Sequence, residues 1–191
     1  RHKETTPYHD HIKVIIHSAQ KGADIARHLQ DFNLSSTMSE ACDVDLNQVI
    51  EQATASGPLF DRDANLPPID LMLHLSPLPV MKGHGAELCE VLINMIQNAV
   101  DAMPEGGRLI INSEWQDDTI QVTMTDTGIG MDHDTEGRIF APLFTTKGTV
   151  GSGLGLSVVY CIIQRHGGRI TVASIPHEGT SFTLSFPVFN T

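Results

Sequence analysis

Between residues 10 and 33 the chain carries no proline, and Ile12, Ile15, Ala19, Gly22, Ala26 and Leu29 recur at spacings of three and four. That is the seam of a helix packing lengthwise on another helix, so one long amphipathic helix is expected there. Residues 34–45 (LSSTMSEACDVD) are polar and Ser-rich and read as a linker, with a boundary near residue 40. Asp45 then caps a short helix running to about Ser56. After the turn signals Gly57-Pro58 and Pro67-Pro68, the alternation of Leu71, Leu73 and Leu75 predicts a half-buried strand over 69–75. The strongest helix spans 87–103 and is stopped by Pro104 and Gly106-Gly107. Strands over 108–115 and 119–125 follow, joined across Gln116-Asp117-Asp118. A Gly-rich region leads into a helix over 154–166, ended by Gly167-Gly168, and a hairpin of 169–174 with 180–188 closes the chain. Without a regular βαβ rhythm, this order predicts an α+β two-layer sandwich. Its sheet is mixed and mostly antiparallel, covered on one face by helices and preceded by the long helix.

Composition narrows the class. At 191 residues, 40% hydrophobic and 18% charged, the chain suits one soluble domain of ordinary size with a small appendage. The net charge of -11 disfavours a general affinity for nucleic acid or anionic membrane, so an anionic ligand needs a local site. Cys42, Cys89 and Cys161 lie far apart without a CxxC pair, which suggests neither a disulfide framework nor a zinc site and fits a reducing cytosol. No apolar run reaches the 18 or so residues of a membrane span, and the opening Arg-His-Lys-Glu does not resemble a signal peptide, leaving a fragment as an option.

Three places carry candidate chemistry. On the 87–103 helix, Leu88, Val91, Leu92, Met95, Ala99 and Ala102 form the apolar face, and Glu90, Asn94, Gln97, Asn98 and Asp101 form a polar stripe. An ordinary solvated face is one reading, although solvent alone favours Glu or Lys over the poor helix former Asn at both 94 and 98. On the following strand, Ile120, Val122 and Met124 point to one side and Asp126 falls on their parity. A carboxylate carried to the apolar side needs hydrogen-bond donors, and an exocyclic amino group such as adenine's is suitable; a simple Asp-Gly turn is the alternative. Asp126-Thr127-Gly128-Ile129-Gly130 places two glycines where backbone can approach a flat base. Finally, Gly151-Ser152-Gly153-Leu154-Gly155-Leu156 runs straight into a helix, where backbone amides and the helix dipole favour a phosphate chain. It lacks both the preceding strand of a dinucleotide fingerprint and the Gly-Lys-Ser/Thr of a P-loop, and a flexible loop at a helix start accounts for it equally.

Taken together, ELCEVLINMIQNAVDAMPEGG (87–107), DTGIGMD (126–132), RIFAPLFTTK (138–147) and GSGLGLSVVYCIIQRHGGRI (151–170) resemble the N, G1, F and G2 boxes of the sensor histidine kinases, in that family's order and spacing. The resemblance covers about residues 45–187 and is nearest to kinases of the nitrogen-regulation and oxygen-sensing type. It places the chain in the superfamily of gyrase, the heat-shock chaperone, histidine kinases and MutL. It implies a division into 1–40, the second helix of a dimerisation and phosphoacceptor hairpin with its linker, and 41–191, an ATP-binding catalytic domain.

Residue by residue, Asn98 matches the Mg²⁺ ligand, and magnesium takes such hard oxygen donors together with water and phosphates. Asn94 matches the other asparagine near the phosphates, and Asp126 the acceptor of the adenine amino group, with Gly128, Ile129 and Gly130 around the base. Gly151, Ser152, Gly153, Leu154, Gly155 and Leu156 match the phosphate-side end of a mobile lid spanning about 132–150. Thr145, Thr146 and Lys147 lie on that lid, with Lys147, helped by Arg138, as the cation for the phosphate tail; a solvated lid residue is the other reading of Lys147. Asp101 stands where many histidine kinases have lysine, either orienting the site or solvated, and Ala141 where a glutamate is frequent. ATP-hydrolysing relatives carry a glutamate base where Asn94 stands here, and an amide cannot take a proton from water. Phosphoryl transfer to a delivered side chain, with Asn94 and Lys147 as catalytic groups, is therefore expected.

No H box accompanies these motifs. His9-Asp10 has the His-acid pair, but the residues after it resemble the second hairpin helix, so the acceptor histidine is expected outside this chain. The implied activity is that of a protein-histidine kinase. It takes the γ-phosphoryl of MgATP to a histidine and onward to a response-regulator receiver domain, in a homodimeric, cytoplasmic setting that the full protein could anchor to a membrane. Two rivals stand beside it: a degenerate, non-catalytic nucleotide-binding module, and a protein serine kinase sharing the ATP fold.

Overall fold

The protein is described by a computed structural model covering residues 41–55, 59, 66–148 and 152–188. The helix expected over 10–33 lies outside the described residues, as does Gly151. The elements run β1 (Cys42–Val44), α1 (Leu46–Ala55), β2 (Ile69–Leu75), β3 (Met81–Gly83), α2 (Gly85–Ala102), β4 (Gly107–Gln116), β5 (Thr119–Asp126), α3 (His133–Glu136), α4 (Gly155–Arg165), β6 (Arg169–Ile175) and β7 (Gly179–Pro187). The α+β sandwich is present, and its main sheet has the order β2-β4-β5-β7-β6. β2 runs parallel to β4 and the remaining neighbours are antiparallel.

One face of the sheet is apolar and helix-covered. Leu109, Ile111, Ile120, Val122, Met124, Phe182, Leu184 and Phe186 are buried together with Ile50 of α1, Leu92 and Ile96 of α2, and Ile163 of α4. A fully buried side chain of this size contributes about 1.5–3 kcal/mol. The opposite parity carries hydroxyls: Thr125 and Ser181 sit 2.9 Å apart across β5 and β7. That face needs no cover, because cross-strand hydroxyl pairs and water satisfy it.

The structure corrects the linker expected over 34–45. Its end forms β1, which pairs antiparallel with β3, Val44 opposite Met81 and Cys42 opposite Gly83. Three-residue strands show no readable alternation, and this pair exists because the chain returns past α1 and β2 to meet itself. Asp45 does cap α1, its Oδ1 accepting the Asn47 and Gln48 N–H groups at 3.0 and 3.3 Å. The β4–β5 turn is tight, with Asp117 and Asp118 both in the left-handed region at φ 50° and 57°.

Candidate functional site

Alternation along β5 carries Asp126 onto the buried parity at the strand's end, where it is only 5% exposed. Its Oδ1 accepts the Gly128 N–H at 2.8 Å. Burial nonetheless pushes the carboxyl above its ordinary value, and the Gly128 and Thr180 backbone amides offset this only in part. The following loop is pinned at both ends. Ile129 donates its N–H to the Ala102 carbonyl at 2.9 Å, at the C-terminal end of α2, and accepts from the His177 N–H at 2.7 Å in the β6–β7 turn. A Cβ on Gly128 would sit 2.5 Å from the Ala102 oxygen, so this close approach requires glycine. Gly130 continues the loop at φ 63°, and the Ile129 side chain stays exposed.

Of the expected apolar face of α2, Leu88, Val91, Leu92, Met95 and Ala99 are buried and Ala102 is half-buried, and the polar stripe meets Lys147 through Asn98 and Asp101. Asn94 Nδ2 donates back to the Glu90 carbonyl at 3.0 Å, and its Oδ1 lies 3.2 Å from where a Cβ on Gly155 would stand. One turn on, the Lys147 ammonium donates to Asn98 Oδ1 at 3.0 Å and to Asp101 Oδ2 at 2.6 Å. Gln97 Nε2 donates to the other Asp101 oxygen at 2.7 Å. Lys147 is thus not simply solvated, and neither is Asp101. Asn98 already presents its carbonyl oxygen to a cation, so its donor fits a hard metal ion. Among the described residues no cluster of three or more His, Cys, Asp or Glu side chains is arranged to hold a metal.

The segment expected as a lid begins at Asp132, whose Oδ1 accepts the Thr135 N–H at 2.7 Å and caps α3; the Thr135 side chain and amide hold this exposed carboxyl below its ordinary value. Arg138 stacks 4.5 Å over the Phe144 ring instead of joining Lys147 at the α2 stripe. Leu143 takes φ 64°, and its backbone lies within 2.5 Å of a Cβ built on Gly153, so the lid base rests on a glycine. Thr145 Oγ1 accepts the Lys147 N–H at 3.1 Å and Thr146 is exposed. Ser152 Oγ accepts the Leu154 N–H at 3.3 Å. The N-cap residue of α4, Leu154, makes no side-chain cap hydrogen bond, and Leu154, Gly155 and Leu156 are half-buried. Gln97 was visible only as part of the stripe; its i,i+4 spacing to Asp101 is the signal that gives it a role.

Residues 83–190 match the family model described as histidine kinase-, DNA gyrase B- and HSP90-like ATPase. The sensor histidine kinase ZraS of Escherichia coli is 37% identical over 146 residues, 76% of this chain and 30% of ZraS. The sensor protein FixL of Bradyrhizobium diazoefficiens is 34% identical over 173 residues, 88% of this chain and 33% of FixL. Among solved structures, the nucleotide-free catalytic domain of the histidine kinase ThkA superposes with a TM-score of 0.67 at 30% identity, covering 78% of this chain and 96% of that domain. ThkA in complex with the response regulator TrrA shares the fold, at a TM-score of 0.71 and 23% identity over 98% of this chain and 53% of that one. The chain belongs to the histidine kinase-, DNA gyrase B- and HSP90-like ATPase family, and within it is a histidine-kinase ATP-binding catalytic domain. It spans about a third of the length of the curated relatives it matches.

Proposed function

We propose that the chain binds ATP with Mg²⁺ among the α2 stripe, the 126–130 loop and the lid. Its γ-phosphoryl then passes to a histidine outside this chain, for relay to the aspartate of a response-regulator receiver domain. The observation that carries this is Asp126: a carboxyl buried at a strand end whose own amide donors do not offset its desolvation, and which a ligand's amino group would complete. Asp126 accepts from the adenine amino group, with Gly128, Ile129 and Gly130 against the base. Asn94, Thr145, Thr146 and the 152–156 turn face the phosphates, and Lys147 supplies the local positive charge. Asn98 would hold Mg²⁺, which when bound neutralises phosphate charge and orients the phosphates. An acceptor imidazole nitrogen forms the new bond to γ-phosphorus as the bond to the β–γ bridging oxygen breaks, with ADP keeping the electron pair. Asn94 gives water no base, so positioning favours the delivered side chain over hydrolysis.

The domain division at residue 40, pairing of the 10–33 helix with a second copy in the full protein, and a cytoplasmic setting complete this reading. Among the described residues no helix is long and apolar enough to cross a membrane. The partner class is supported by the ThkA–TrrA complex.

Calorimetric titration with ADP, with and without Mg²⁺, tests the pocket. Loss of a hydrogen bond to a charged acceptor costs about 2 kcal/mol, so Asp126→Asn should weaken binding roughly thirtyfold. Asn98→Ala should abolish the magnesium dependence. A folded wild-type chain that binds no ADP would move the reading to a non-catalytic interaction module. With a hairpin supplied in trans, an acid-labile, base-stable phosphoryl adduct identifies phosphohistidine, and the reverse stability identifies a serine kinase.

A further inference from the structure

The contact between the lid and α2 is made by a cation on the same oxygen that the proposed metal would need. Lys147 Nζ lies 3.0 Å from Asn98 Oδ1, and an ammonium there and a magnesium ion on the same oxygen would repel each other at close range. The ammonium's second and shorter contact, 2.6 Å to Asp101 Oδ2, is an ion pair only about one-third exposed on either side. Asp101 is held for this task, since its other oxygen accepts from Gln97 Nε2 at 2.7 Å, one helical turn back on the same stripe. Close by, the Lys147 N–H is tied to Thr145 Oγ1, so the lysine leaves a local turn at a defined angle. All these groups belong to the helix that carries the candidate metal ligand or to the lid.

We infer that Lys147 and the divalent cation exchange on Asn98: without nucleotide the ammonium latches the lid to α2, and metal-nucleotide entry displaces it toward the phosphates. Asp101 is then a positioning residue acting through Lys147, and Gln97 sets Asp101. The inference rests on the proposed ATP site but makes its own demand. It requires an Asp101–Lys147 coupling that exists in the nucleotide-free protein and disappears once metal and nucleotide are both bound. A lysine that served only as a phosphate contact would show no coupling to Asp101 before nucleotide arrives.

Hydrogen exchange of the whole chain, followed on peptides covering 144–148, reads the latch in three states: free, with ADP and a chelator, and with ADP and Mg²⁺. Asp101→Asn keeps shape and helix but removes the charge, and Gln97→Ala removes the hydrogen bond to the other Asp101 oxygen while leaving both partners of the ion pair in place. In the free protein Asp101→Asn should speed exchange about fivefold and Gln97→Ala about twofold. With ADP and chelator the Asp101→Asn difference should largely persist, and with MgADP it should vanish. No effect of Asp101→Asn in the free protein overturns the latch. A difference that survives MgADP makes the pair a permanent structural contact, and one that vanishes with ADP and chelator removes the metal from the exchange; both overturn the inference. The free-state comparison needs no ligand, and wild-type ADP calorimetry is independent of it, so loss of the ATP-site reading and loss of the latch are separately visible.

Discussion

Asp126 shows how one residue is set between stability and binding. Burial is the largest influence on its carboxyl and raises its pKa in the folded chain, with the Gly128 and Thr180 amides opposing. A carboxyl whose folded pKa is raised contributes stability while protonated, below its unfolded value, and that contribution is lost as pH rises through the folded value. At neutral pH the ionised group is therefore a burden on the fold. Asp126→Asn retains an oxygen for the Gly128 N–H and should melt at the same or a higher temperature than wild type while binding ADP far more weakly. The difference in unfolding free energy between the two should shrink as pH falls from the raised folded value to the ordinary carboxyl value. A variant that melts well below wild type at neutral pH would show that the carboxylate is structurally required, and would weaken the argument that it awaits a ligand. The parity that buries Asp126 was legible from Ile120, Val122 and Met124; the insufficiency of its donors was not, because Thr180 comes from the far hairpin, opposite it in the β5–β7 register.

At the scale of elements, α2 is the organising piece, apolar toward the sheet and polar toward the lid, and both faces were readable from its period. What holds its start in place was not readable. His166, just past α4, accepts the His84 N–H at 3.0 Å through Nε2, and its Nδ1 lies 2.8 Å from the Ile162 carbonyl. Because Nε2 accepts, the proton sits on Nδ1 and donates to that carbonyl, so a neutral imidazole ties the end of α4 to the start of α2. Gly83 packs against the same ring, a Cβ there lying 2.9 Å from it. His166→Leu would leave the His84 N–H unpaired and should destabilise the domain by about 1–3 kcal/mol, measurable by urea denaturation with an unchanged slope. Unchanged stability would show that water replaces the ring at no cost.

For the whole molecule, the described fold and its hydrophobic core are built from residues between 41 and 188. We expect a chain starting at residue 41 to fold and to bind MgADP within about twofold of the full chain. A truncated protein that fails to fold would show that the 1–40 segment is part of the domain. The lid is expected to gain protection along 132–148 when MgATP is added, because new phosphate contacts replace those of Lys147 to Asn98 and Asp101. Exchange there unchanged by nucleotide would count against a moving lid.

The residues by themselves determined the class of fold and the candidate site. Apolar period placed α2, β2 and β5, glycine and proline punctuation bounded the other elements, and four separate motifs named the candidate positions, since these signals act within a few residues along the chain. Only the tertiary structure decided the β1–β3 pair, the parallel register of β2 on β4, the His166 tie and the grip of Lys147 on Asn98 and Asp101. Each of these joins groups many residues apart: Lys147 meets a helix 46 positions earlier, and Asn47 reaches Ser113 across 66. Such contacts follow from how the layers close on one core, and no local pattern of polar and apolar residues encodes which lid cation will meet which carbonyl.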